Sequence, residues 1–224
     1  MRILALLLLA AGLSGCVATA PTPTASVVGR ADPSALGAVV ARVEPVAERE
    51  CRARVQGVIC DFTFFVESDP RAGVNAFQTV DPGGRPVIIV TTGLLEAVIT
   101  DDELAFVIGH EAAHHIRQHI PQQVDAARRG ALVFGVLAQM GGADEAGIRE
   151  AAEVGATVGA RRFSQEHELE ADQLGTVFAA RAGFDPVRGA AFFQRLPDPG
   201  NRIFSTHPPN AQRQAVVRQT AASL

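Results

Sequence analysis

At 224 residues, 47% of them apolar, the chain is long enough for one large domain or a compact domain with a tail. Its net charge of -4 is mild, every basic residue is Arg, and no long basic or acidic run occurs, which excludes nucleic acid as a natural partner class. With neither Trp nor Tyr, the core must be built from Phe, Leu, Val and Ala.

Arg2 precedes an apolar run from Ile3 to Leu13, about half of the ~20 residues that a membrane-spanning helix needs. Residues 1–15 therefore read as a secretory signal peptide. The segment Leu13-Ser14-Gly15-Cys16 resembles the bacterial lipobox, in which the cysteine is diacylated and becomes the new N-terminus. The resemblance makes Cys16 a lipid anchor, and a diacyl anchor holds a protein firmly to a membrane. Val17 stands where an Asp would favour inner-membrane retention, so the outer membrane is the expected address. Residues 16–32 are small, polar and Pro-rich, a lipidated tether, and 33–224 form the folded domain. Cys51 and Cys60 remain, nine apart across a hairpin-like stretch in an oxidising compartment, which predicts a local disulfide.

Asp32-Pro33-Ser34 opens a helix to about Ala47. Arg54 to Glu67, Asn75 to Val80 and Pro86 to Val90 are rich in β-formers and predict three strands of a small antiparallel sheet, with Asp81-Pro82-Gly83-Gly84 as a turn. Pro86–Val90 leads almost directly into the next helices and is the expected free edge for an extended ligand, with Asn75-Ala76-Phe77 as the opposite wall. Everything after Thr92 reads as helix: a short one over 93–98, then one capped by Thr100 with Glu103 at the capping-box position, running to about His119 and stopped by Pro121. Further helices are predicted over 122–140, 144–163, 164–182, about ten residues from Asp185-Pro186, and Pro208–Thr220, with a loop at 197–206. The class is α+β, mainly helical.

His110-Glu111-Ala112-Ala113-His114 falls well inside the Thr100-capped helix. At about 100° per residue, residues four apart lie about 40° apart on one face, so both imidazoles can reach one zinc ion. Glu111 sits where a carboxylate can take a proton from the metal's water and pass it to a leaving amine. A catalytic zinc needs a third protein ligand and one open position. Glu168-Leu169-Glu170-Ala171-Asp172 offers it. Glu168 and Asp172 share a helix face, whereas Glu170 points about 200° away from each. Ligation by Glu168 would place Asp172 behind a ligand, and ligation by Glu170 would leave Asp172 idle; the first uses both acids. His119, nine after His110 and on the opposite face of a continuous helix, is expected to make a structural hydrogen bond. His115 is expected at the surface or in an interface, and His167 to face away from the site. His207 is expected in a loop, with a site role in stacking or hydrogen bonding, in stabilising an oxyanion, or as a cap on the zinc.

These residues, with Asn75-Ala76-Phe77, Val90-Thr91-Thr92-Gly93-Leu94-Leu95, the run from Asp102 to Gly109, Phe163-Ser164, Ala182-Gly183-Phe184-Asp185-Pro186 and Thr206-His207-Pro208, resemble the zinc metallopeptidase family of HtpX, the CAAX prenyl endopeptidase and the periplasmic BepA-like proteases. The match covers roughly residues 55 to 218. It implies a zincin-like fold, one Zn2+ held by His110, His114 and Glu168, Glu111 as general base, and Asp172 as the acid assigned proton donation in such families. No transmembrane helix follows the leader, which points to a soluble lipoprotein branch and away from prenylated substrates.

The expected function is zinc-dependent endoproteolysis of unfolded or misassembled envelope polypeptides at the periplasmic face. The alternative is a latent peptidase acting mainly as a chaperone-like binding module. A purely structural lipoprotein with a relic site fits poorly, because the set of His, Glu, His, Glu and Asp is complete.

Overall fold

The computed structural model describes residues 33–198 and 208–224, apart from the side chains at 33–34 and 162–164. The expected signal peptide, the expected tether with Cys16, and His207 lie outside the described residues. Helix α1 (Pro33–Arg54) buries Val39, Val43, Val46 and Ala47, spaced three or four apart as one face of a helix requires. It runs through Pro45 and well past Ala47, and so carries Cys51 to a disulfide with Cys60, the Cα atoms 5.7 Å apart. The expected strand from Arg54 accordingly shortens to β1 (Thr63–Glu67).

β1, β2 (Ala76–Val80) and β3 (Pro86–Thr91) form a sheet of order β1-β3-β2. β2 and β3 are an antiparallel hairpin with Gln78 opposite Ile88. Asp81 Oδ1 closes the turn by accepting from the N–H groups of Gly83 and Arg85, and Gly84 supplies a φ of 83. β1 runs parallel to β3, with Phe65 opposite Ile89, so the sheet is mixed where an antiparallel one was expected. The cause lies in β3 itself. Val87, Ile88 and Val90 are buried, and an apolar run without alternation suits a strand covered on both faces and paired on both sides. Pro86–Val90 is therefore the centre of the sheet rather than its edge, and the free edges belong to β1 and β2.

Thr91 ends β3 and caps α2 (Thr92–Ala97), its hydroxyl accepting from the Leu94 N–H. The same hydroxyl accepts from the Asn75 N–H and lies 2.8 Å from the Gly73 and Asn75 carbonyls, which ties the entry of β2 to the helices. Gly93 has no alternative here, because a Cβ would collide with the Gly73 carbonyl.

Helix α3 (Asp101–Ile116) is buried on nearly every side. Thr100 caps it through the Glu103 N–H at 3.2 Å. Its acidic first turn also anchors what lies around it. Glu103 accepts from the Ile99 N–H and from both terminal nitrogens of Arg195, and Asp102 accepts from the Asp185 N–H. These bonds hold α6 (Pro186–Gly189) and the 3-10 turn Ala190–Arg195 against α3.

α3 stops at Ile116, short of the expected His119. Gln118 takes a left-handed φ of 56, and α4 (His119–Met140) starts at once. Pro121 falls in the first turn of α4, where a missing N–H costs nothing, so it begins a helix instead of stopping one. Gly141-Gly142 turns the chain into α5 (Glu145–Arg181), a single helix of 37 residues where two were expected. No Gly or Pro lies between 160 and 174 to break it. α4 and α5 pack backbone to backbone: a Cβ at Gly130 or Gly155 would strike the other's carbonyl. The outer end of α4 exposes Leu132, Leu137 and Met140. Among the described residues no helix is long and apolar enough to cross a membrane. α7 (Asn210–Ala221) closes the domain against α5.

Candidate functional site

His110 and His114 project from one face of α3, their Nε2 atoms 3.0 Å apart. From α5, Glu168 brings Oε2 to 3.5 Å from His110 Nε2 and Oε1 to 3.3 Å from His114 Nε2. Donor atoms of the three residues lie within 4.8 Å of one another, and His110 and Glu168 are each 7% exposed. The two helices meet through glycines. A Cβ on Gly175 would lie 2.8 Å from the His110 nitrogen, and one on Gly109 would lie 3.0 Å from the Gly175 carbonyl. This bare crossing, next to His110 and two turns beyond Glu168, lets a carboxylate on α5 reach imidazoles on α3.

Asp172 is fully buried behind His110, its Oδ1 2.9 Å from His110 Nδ1. Arg213, on α7, donates Nε to Asp172 Oδ2 at 2.8 Å and Nη2 to Oδ1 at 2.7 Å. Its guanidinium lies over the Phe193 ring, 3.8 Å from the centroid. Burial opposes ionisation of Asp172, but Arg213 and the His110 hydrogen bond outweigh it and hold the carboxyl below its usual range. Both oxygens are thus occupied, which suits a group that orients His110 rather than one that releases a proton to substrate. Arg213 escaped the sequence reading. Its signal was an Arg in register with Val217 and Thr220 on the buried face of the last helix, because an Arg there demands an acid partner.

His119 and His167 are closer to the site than expected. His119 Nδ1 lies 2.8 Å from His114 Nδ1, and His119 Nε2 lies 3.2 Å from Glu170 Oε2. His167, expected to face away, is buried and stacked on His119 with centroids 4.1 Å apart. Burial first, then the neighbouring imidazoles, push the His119 pKa down to about 2, so this ring is neutral. His115, expected at the surface or in an interface, is buried edge-on to Phe62 and bonds the Ile59 carbonyl at 2.8 Å. His115 thereby fixes the disulfide-closed segment to α3.

Glu111 is 9% exposed beside the donor cluster, and burial raises its carboxyl despite the opposing charges of His110 and His114. Burial also lowers His110, yet its bonds to Asp172 and Glu168 prevail and push it up to about 10. A cleft runs past these groups. Asn75, just before β2, and Ala76 and Phe77 of its edge line one side, and Phe106, Phe192 and Leu196 form an apolar recess beside His110 and Glu111.

Residues 41–221 match the model of peptidase family M48. This chain belongs to peptidase family M48. The mitochondrial metalloendopeptidase OMA1 of Arabidopsis thaliana is 32% identical over 150 residues, 65% of this chain and 29% of the relative. The beta-barrel assembly-enhancing protease of Escherichia coli is 28% identical over 178 residues, 73% of this chain and 35% of the relative. OMA1 of Saccharomyces cerevisiae is 29% identical over 165 residues, 66% of this chain and 44% of the relative. The M48 chain thus spans less than half the length of each. In this M48 domain two imidazoles and a carboxylate, each imidazole backed by a hydrogen-bonding partner, make a nitrogen-and-oxygen donor set of the kind that binds a divalent first-row metal.

Proposed function

We propose that this M48 protein is a zinc-dependent metalloendopeptidase that cleaves extended or unfolded polypeptides of the cell envelope, tethered there by a lipid on Cys16. The observation that carries the reading is the convergence of His110, His114 and Glu168 within 4.8 Å, with the buried Glu111 carboxylate beside them. Zinc held by these residues supplies Lewis acidity, polarising the scissile carbonyl and lowering the pKa of attacking water toward neutrality. Glu111 takes the proton from that water and delivers it to the leaving amine. Asp172, clamped by Arg213, keeps the His110 ring in place.

The substrate backbone is held by β2. Thr91 N–H donates to the Asn75 carbonyl, so in the alternating antiparallel pattern residues 75, 77 and 79 bond toward β3. The N–H and C=O of Ala76 and Gln78 then face outward along the cleft, ready to pair with an extended chain whatever its sequence. An envelope substrate is supported by the leader and lipobox and by a relative named for enhancing beta-barrel assembly.

The test compares the wild-type protein with Glu111→Gln on casein, with and without a chelator. Cleavage that is lost in the variant and on chelation, and regained with zinc, is expected. Equal suppression of aggregation by both proteins without cleavage by either would assign the cleft to chaperone-like binding instead.

A further inference from the structure

We propose that His119 and Glu170 form a second positioning arm of the metal centre, which fixes the tautomer and ring orientation of His114 as Asp172 does for His110. The inference rests on reading His110, His114 and Glu168 as the metal ligands, and extends that reading to residues with no ligand role.

Both ligand imidazoles turn Nε2 toward each other and toward Glu168. An imidazole binds a metal through a lone pair, so each Nε2 must be free of hydrogen. A neutral ring carries one hydrogen, which must then sit on Nδ1 and needs an acceptor there. For His110 the acceptor is Asp172, at 2.9 Å. For His114 the facing atom is another ring nitrogen, His119 Nδ1, at 2.8 Å. That contact admits one hydrogen, and its owner decides whether His114 can ligate. If His119 donates from Nδ1, the His114 hydrogen moves to Nε2 and the lone pair is lost. If His119 carries its hydrogen on Nε2, its Nδ1 accepts and His114 is poised to ligate.

Glu170 makes the choice. Its Oε2 lies 3.2 Å from His119 Nε2 and, as a carboxylate, it only accepts, so it selects the Nε2–H form. The His167 ring, stacked at 4.1 Å and 10° to the plane, holds His119 in orientation, and with 2% exposure little water competes. The arrangement depends on the break at Gln118. On an unbroken α3, His119 would point away from His114, whereas the left-handed residue swings it back beneath that ring. Glu170 faces away from the ligand cluster and is half exposed, yet it reaches the centre through His119.

Glu170 is the residue to change, because its exposure lets variants fold. Long-range 1H–15N spectra of metal-free, histidine-labelled protein report each ring's tautomer, and competition with a chromophoric chelator reports zinc affinity. Wild type is expected to show His114 as Nδ1–H. Glu170→Ala should give mixed tautomers at His114 and His119 and a zinc affinity lower by about 10- to 100-fold, the usual effect of losing an outer partner. Its thermal stability without metal should stay close to wild type. Glu170→Gln, whose amide oxygen still accepts, should restore the tautomer. An unchanged His114 tautomer and a zinc affinity within about twofold in Glu170→Ala would overturn the proposal. A wild-type protein that binds no zinc would instead defeat the ligand assignment, and the spectra would still decide whether Glu170 sets the tautomer.

Discussion

Arg213 grips both carboxylate oxygens of Asp172 from a helix that begins 38 residues later, and the pair is buried almost completely. Two charges removed from water stabilise a fold only while each has the other. Arg213→Met should therefore strand a buried carboxylate and cost about 3–5 kcal/mol of unfolding free energy, measured by denaturant titration of chelator-treated protein. Adding Asp172→Leu to it should recover much of the loss in stability and none in zinc affinity. A cost below about 1 kcal/mol for Arg213→Met would mean that the pair is solvated in solution.

The same pair sets an acid limit. Asp172 is held below its usual range in the folded state, so the folded protein binds fewer protons there than the unfolded chain. Its contribution is complete above the unfolded carboxyl pKa near 3.8 and is lost as pH falls through the lower folded value. His119 acts in a higher window. With a folded pKa of about 2 against 6.5 unfolded, it costs stability progressively as pH falls below 6.5. Chelator-treated protein should therefore weaken in two stages, first below pH 6.5 and then more steeply below about 4. Asp172→Asn should flatten the second stage alone, in unfolding curves taken across pH.

Gly175 faces the His110 nitrogen with no space for a methyl group. Gly175→Ala should force α3 and α5 apart, at about 1–3 kcal/mol for overpacking. It should also lower zinc affinity, because Glu168 lies on the displaced helix. Gly37, with open space around its position, is the control: Gly37→Ala should leave zinc affinity unchanged.

If the outward face of β2 holds the substrate, removing one donor from it should weaken binding without touching chemistry. Ala76→Pro deletes an N–H that points away from β3, and edge strands tolerate proline. We expect KM for long peptides to rise by about tenfold, the worth of one good hydrogen bond, with kcat little changed. A matching fall in kcat would show that the strand helps to assemble the catalytic groups.

How much of this was legible beforehand depended on whether the signal was local. His110, Glu111 and His114 declare themselves through a five-residue spacing inside a capped helix, and Glu168 with Asp172 through a four-residue spacing. The structure brings the three expected donors together with Asp172 behind one of them. Pairing of strands was less legible, since composition marks strands but not neighbours. The unbroken apolar character of β3 was the clue to its central place. Helix ends failed where one residue overrode the pattern, as at Gln118, and where Pro121 started a helix instead of ending one. His119 makes the expected hydrogen bonds and stands outside the donor cluster, but the break at Gln118 puts it beneath His114 instead of on the far face of the helix. Arg213 was hidden for a different reason: its meaning depends on Asp172, far along the chain.

α5 runs from Glu145 to Arg181 without a proline or a break, and Glu168 sits about 35 Å along it at 1.5 Å per residue. A rod of that kind transmits displacement instead of absorbing it. The two imidazoles ride together on a different, deeply embedded segment. A push or pull on the far loop at Gly141-Gly142 would consequently travel down both long helices, reaching Glu168 through α5 and His119, beneath His114, through α4.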